Sequence, residues 1–180
     1  MNRIVVCLGS NIDKEHNLPA AVRLLAQHSS LLAVSGAYES EPVGARPDDP
    51  TFFNAAVLVE STLSAAAFKE QVLARVEREL KRTRTEDKNA PRTIDADLVL
   101  FNDESFAMDA DHPIPDPDLL RFPHVAVPVA EVVPRQLHPL TGERLDYVAA
   151  RLVAEAEKTG LPNLRRRSDI ALDPRGNRAH

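Results

Sequence analysis

Residues Arg92 to Phe101, Arg-Thr-Ile-Asp-Ala-Asp-Leu-Val-Leu-Phe, restrict the possible folds of this chain more than any other stretch. The second half is apolar and partly β-branched, the composition of a buried strand. Alternation along a strand puts Ile94, Ala96, Leu98 and Leu100 on one face, with Asp95 and Asp97 side by side on the other. Adjacent carboxylates repel each other and lose hydration when partly buried. Either these acids lie on a solvated surface strand, or they share a hard divalent cation such as Mg²⁺, which takes carboxylate, water and phosphate oxygens. The apolar opposite face favours the second reading, as do Lys81, Arg82, Arg84, Lys88 and Arg92 just upstream. A metal-binding acid pair beside a cationic loop is the equipment of phosphoryl-type transfer.

The chain has 180 residues, which predicts one catalytic domain over 1–158 and a polar, basic tail over 159–180. A net charge of −5 gives no overall attraction to nucleic acid or anionic membrane, so any anion site must come from local clustering. Cys7 stands alone, which excludes an intramolecular disulfide and suits a small core residue. Histidines 16, 28, 112, 124, 138 and 180 show no paired ligand spacing, which argues against zinc. The apolar run Ile4–Leu8 is too short for a signal peptide or a membrane span, so a cytoplasmic location is expected. Neither a Walker-type nor a Gly-x-Gly-x-x-Gly run is present.

Ile4–Leu8 reads as a strand closed by the turn Gly9-Ser10-Asn11. Asn17 is a candidate helix cap with Pro19 in the first turn, followed by the apolar face Leu18, Ala21, Val22 and Leu25. A second strand is expected over Leu31–Tyr38, a Pro/Gly/Asp-rich loop over 41–50, and a third strand over Asn54–Ser61. Ser64 can cap a helix to about Leu80, because Phe68, Val72, Val76 and Leu80 recur every four residues. Lys81–Pro91 reads as a loop. Six prolines between 113 and 134 argue against long regular elements there, leaving a short helix over 129–133. Leu145, Val148, Leu152, Val153 and Ala156 mark a last amphipathic helix. Beyond Thr159 a solvated, poorly ordered tail carries Arg165–Arg167. The order strand, helix, strand, strand, helix, strand is the ferredoxin-like α+β plan, an antiparallel sheet of four main strands with helices packed on it.

Several fragments resemble one family, the 6-hydroxymethyl-7,8-dihydropterin pyrophosphokinases. They are Leu8-Gly9-Ser10-Asn11, Tyr38-Glu39-Ser40-Glu41-Pro42-Val43-Gly44, Phe52-Phe53-Asn54-Ala55-Ala56-Val57 and Pro91-Arg92-Thr93-Ile94-Asp95-Ala96-Asp97, then Ile114-Pro115 and Pro128–Pro134. The order and spacing hold from about residue 4 to 155. The resemblance implies diphosphate transfer from ATP, the co-substrate, to the hydroxymethyl group of a reduced pterin, releasing AMP. It implies two Mg²⁺ ions bridged by Asp95 and Asp97, with Arg82 and Arg92 as catalytic arginines, Arg82 swinging in as its loop closes. Glu77, Arg84, Lys88, Arg92, Leu98 and Arg121 fall at or beside ATP-contacting positions. Ser40, Val43, Phe52, Asn54 and His124 fall on the pterin side, Asn54 as the amide that reads the ring and Phe52 as a stacking aromatic. Taken singly, Phe52 is a core residue and Asn54 a turn or edge residue. No nucleic-acid or membrane partner is expected.

The sequence departs from the family pattern at Asn89-Ala90, where Trp-Gly is usual, and at Asp116, where a histidine is usual. At 122–124 stand Phe122, Pro123 and His124, so the second stacking ring is either His124 or Phe122. These departures motivate an alternative, a non-catalytic relative that binds pterin or nucleotide. The acid pair alone also admits a metal-dependent nucleotidyl transferase or cyclase.

Overall fold

The computed structural model describes residues 1–44, 46, 48–87, 90–161 and 164–175. Strands β1 (Asn2–Ser10), β2 (Ser30–Val34), β3 (Ala37–Ser40), β4 (Phe52–Ser61), β5 (Asp95–Phe101) and β8 (Arg165–Arg167) form one sheet, and every pair in it is antiparallel. Its order is β5-β1-β4-β3-β8, and β2 also pairs with β4. β2 and β3 together occupy the place of the one strand expected over 31–38. The break comes at Ser35, whose hydroxyl accepts from Ala56 N and donates to the Gly36 carbonyl. The ferredoxin-like plan is therefore present, with one strand split and a sixth added. Short β6 (Phe106–Ala107) and β7 (Pro113–Ile114) pair separately.

One sheet face, with Ile4, Val6, Leu8, Val57, Val59, Ala96 and Leu98, packs on α1 (Lys14–His28) and on a continuous helix over 65–79. That helix consists of α2 (Ala65–Phe68), a π turn (Lys69–Leu73) and α3 (Ala74–Glu79). Apolar residues spaced by four outrun the 3.6-residue period of an α-helix. One turn of i→i+5 bonding takes up the excess and keeps Phe68, Val72, Leu73 and Val76 buried together. The other face, with Val5, Ala56 and Leu58, packs on α4 (Pro123–Val132) and α5 (Leu145–Thr159).

Four local expectations are corrected. α1 starts at Lys14, and Asn17 is buried inside it, its Nδ2 donating back to the Ile12 carbonyl rather than capping the helix. Leu100 does not share a face with Leu98. The β1–β5 register shifts between Val5 and Val6, so Val99 and Leu100 both enter the α4/α5 core. α4 is ten residues long despite its prolines, because Pro123 stands near its start, where a missing N–H costs nothing, and Pro128 is buried against the core. The tail beyond Thr159 is not simply solvated. Arg165–Arg167 add a strand to β3, and Leu172 is buried in the first core. Residues 176–180 lie outside the described residues.

Candidate active site

Asp95 pairs with Gly9, Gly9 with Asn54, and Asn54 with Tyr38, so these four residues form one row across four strands. Asp97 and Cys7 stand in the next row on the same face. The cleft above these rows has a volume of about 340 Å³. Its lining includes Ser40, Val43, Phe52, Asn54, Arg92, Asp95, Asp97, Asp116 and His124. A smaller hollow of about 210 Å³ adjoins it, lined by Lys69, Leu98, His112 and others, and Asp97, Asp116 and Asp118 line both. Gly9 leaves the cleft floor low. A Cβ there would touch Asn54 Oδ1 and Phe52 Cδ1 at 3.7 Å.

The acid end is fixed by backbone contacts across the β1 turn. Ser10 Oγ donates to the Thr93 carbonyl at 2.6 Å, and Arg92 N donates to Asn11 Oδ1 at 2.7 Å. Asn11 N and Ile12 N return bonds to the Arg92 carbonyl. Arg92 then places its guanidinium 2.9 Å from Asp95 Oδ2. Arg82 already stands at the same carboxylate, 3.3 Å from Asp95 Oδ1, while donating to the Ile94 carbonyl at 2.7 Å. The expected inward swing of Arg82 is thus not needed to bring it to the acids, since the loop after α3 carries it there.

Asp95 has two arginines, and Asp97 keeps an exposed surface in the cleft. The protein packed around Asp97 strips part of its hydration, and Asp95, Asp116 and Glu77 add negative charge. Together they raise its carboxyl to about 7, with Arg82 pulling the other way. Because water still reaches Asp97, the neighbouring acids are the firmer cause of that rise. This donor set fits Mg²⁺, which is held by one or two carboxylates and filled out by water and phosphate oxygens. Among the described residues no three His, Cys, Asp or Glu side chains are grouped as a complete protein cage.

The far end of the cleft is mostly uncharged, with the exposed Glu41 in its lining. Asn54 Nδ2 donates to Ser40 Oγ at 2.8 Å and to the Tyr38 carbonyl at 3.2 Å, which commits the amide's donor and leaves Oδ1 towards Gly9 and the cleft. His124 lines the cleft, while Phe122 stacks behind it with ring centroids 5.2 Å apart and lines a neighbouring cavity. Of the two rings left open by the sequence, His124 therefore reaches the space shared with Phe52. Burial lowers the His124 pKa below its usual value, with Asp118 opposing.

Other sequence-derived candidates lie elsewhere. Glu77 is buried, accepting from Arg84 at 2.7 Å and from Ala96 N at 3.3 Å, and neither Glu77 nor Arg84 lines the two hollows. Arg121 is on the surface, paired with Asp118 and over the Phe122 ring. Lys88 and Asn89 lie outside the described residues. Sequence reasoning missed Lys69 and His112 as lining residues, and read Ser10-Asn11 only as a turn. No local pattern marks Lys69 or His112, because the helix of one and the loop of the other meet only in the fold.

The fold and cleft define a ferredoxin-like α+β protein that presents paired carboxylates and arginines at one end of a pocket floored by its sheet. A model of the 7,8-dihydro-6-hydroxymethylpterin-pyrophosphokinase family matches residues 5–134, and the chain belongs to that family. It is 36% identical over 156 residues to the 2-amino-4-hydroxy-6-hydroxymethyldihydropteridine pyrophosphokinase of Bacillus subtilis, covering 84% of this chain and 91% of that one. The Synechocystis enzyme of the same name is 33% identical over 144 residues, covering 78% and 71%. Among solved structures, the HPPK-DHPS chain of Plasmodium falciparum superposes with a TM-score of 0.70 at 13% identity. That match spans 92% of this chain and 47% of the longer one, and shows likeness of fold. Among the described residues no helix is long and apolar enough to cross a membrane.

Proposed function

We propose that this chain transfers diphosphate from ATP to the hydroxymethyl oxygen of 6-hydroxymethyl-7,8-dihydropterin, releasing AMP, a step of folate biosynthesis carried out in the cytoplasm. One observation carries the assignment of roles: Asp95, Asp97 and Arg92 share a cavity with Phe52, Asn54 and His124. One end suits a polyphosphate and the other a flat heterocycle. The pterin lies between the Phe52 and His124 rings, its edge against Asn54 Oδ1 and the backbone of 40–43. The triphosphate lies across Asp97 towards the hollow lined by Leu98, Lys69 and His112.

Asp95 and Asp97 would hold the two Mg²⁺ ions, which neutralise phosphate charge and polarise the transferred phosphorus. Arg92 and Arg82 supply two further positive charges where phosphoryl oxygens gain charge as the α,β bridge breaks. Fixed donors of this kind are worth several kcal/mol in a site that excludes water. Neutral His124 offers a ring face without adding charge beside the pterin. Glu77 and Arg84 act from behind the strand, Glu77 bracing β5 through Ala96 N. By the family resemblance, Arg121 and Lys88 would be further contacts to the nucleotide.

One observation favours a second reading, a relative that binds without turnover. Asp116 lines both hollows and adds a third acid beside Asp97. Incubation with ATP, Mg²⁺ and the hydroxymethyl dihydropterin separates the two. AMP released only when pterin is present is the expected result. Pterin binding without AMP supports the second reading, and pyrophosphate release with another acceptor sinks both.

A further inference from the structure

The sixth strand has no counterpart in the four-strand plan and lies beyond the 5–134 stretch that carries the family match. Its arginines grip the sheet edge from both faces. On the α1 face, Glu39 accepts from Arg165 and, at 3.0 Å, from Arg167, and also from Thr51 Oγ1 at 2.7 Å and Lys14 at 3.3 Å. On the cleft face, Arg166 lies over the Tyr38 ring and 2.9 Å from Glu131 of α4, the helix that carries His124. Glu131 also accepts from Gly36 N. Gly36 has no side chain in the way, since a Cβ would meet the Arg166 guanidinium at 3.0 Å.

Glu39 and Thr51 sit at the two ends of the 41–50 loop, next to Ser40 and Phe52. Among the described residues, the hydrogen bonds inside that loop run between Arg46 and Asp49. Among the described residues, then, the long-range side-chain bonds of this segment are made at its base, by Glu39 and Thr51. Although burial raises the Glu39 carboxyl, bonds from Thr51, Arg165, Arg167 and Lys14 hold it down at about 2, so it is an anion that needs its cations.

We propose that β8 is a positioning strap for the pterin side of the cleft, with Arg165 and Arg167 fixing Ser40 and Phe52 through Glu39. The proposal rests on reading that end of the cleft as the pterin site. Substituting Arg165→Ala together with Arg167→Ala is expected to raise the pterin KM about tenfold, leaving kcat and the ATP KM within about twofold. The double Lys variant, which keeps both charges, should recover most of that loss. Adding Glu39→Gln to the double Ala variant should raise the pterin KM by less than it does in the wild type, because the arginines act through that carboxylate while Thr51 and Lys14 still hold it. An unchanged pterin KM, or an ATP KM rising in step with it, overturns the strap. A wild-type enzyme without pterin-dependent AMP release overturns the functional reading instead. Amide exchange at Ser40 and Phe52 then still decides the strap: faster exchange in the double Ala variant upholds it, and unchanged exchange ends it.

Discussion

At the β5 edge of the sheet most of the working residues come from one stretch, Glu77 to Asp97, joined by Asp116 from the segment between β7 and α4, whereas at the β3 edge they come from Lys14, Glu39, Thr51, Glu131 and Arg165–Arg167. The first edge concentrates like charge, three acids around Asp97, and leaves it partly uncompensated. At the second every named charge has a partner: Lys14, Arg165 and Arg167 share Glu39, Arg167 also meets Asp169, and Arg166 meets Glu131. Uncompensated charge in a cleft is a tool for binding a charged ligand, and fully paired charge at a sheet edge is a way to hold backbone still. The contrast predicts that substitutions at β5 change turnover and those at β3 change affinity and stability.

The sharpest way to break that contrast is Asp97→Ala. Turnover should fall on the order of a thousandfold, with circular dichroism unchanged and the thermal midpoint at pH 7 unchanged or raised, because among the described residues the carboxylate makes no hydrogen bond and its loss relieves repulsion from Asp95, Asp116 and Glu77. Retained AMP release would remove the metal assignment. Arg82→Ala should cost about a hundredfold in kcat with both KM values little moved, the signature of a contact made in the transition state. A raised ATP KM at constant kcat would instead make Arg82 a ground-state binder.

The same contrast explains what could be read in the sequence. The Asp-x-Asp strand, its cationic approach and the ferredoxin-like order were legible because each is a local pattern. Face alternation failed only at Leu100, where the bulge against Val5/Val6 is set by the partner strand. The period-four stripe showed the 65–79 helix but gave no sign of the π turn that the stripe itself requires. β8 was unreadable for a simpler reason. Three arginines in a polar segment carry no strand signal, and their partners Glu39 and Glu131 lie far away in sequence. Ser10 and Asn11 looked like turn residues, but Ser10 ends β1 opposite Phe53, only Asn11 lies past the strand, and the bonds that matter run to Arg92 and Thr93.

The β3 edge is tested by acid. Glu39 ionises at about 2 in the folded protein against an ordinary value of 4.5. A depressed carboxylate stabilises the fold above its unfolded pKa and loses that contribution as pH falls through the folded value. Glu39 should therefore contribute about 3 kcal/mol at pH 7, fading between roughly pH 4.5 and 2. Urea unfolding of the wild type and Glu39→Gln at pH 7, 4 and 3 gives the check. The gap between the two should be widest at pH 7 and close on acidification. A gap independent of pH would mean that Glu39 acts through shape, not charge.

The smallest expected effect sits between the two edges, at His124. Burial lowers its pKa, so the imidazole is neutral at pH 7 and contributes a ring rather than a charge. His124→Phe keeps a ring against Phe122 and should change the pterin KM by no more than about threefold, whereas His124→Ala removes the stacking face and should cost about tenfold. For the wild type the pterin KM should be flat from pH 8 down to about 6.5 and change only below it, where the cation forms. The Phe variant should lack that acid limb. If Phe costs as much as Ala, the ring nitrogen and not the ring face is what the pterin meets, and this end of the cleft joins β5 as a polar contact.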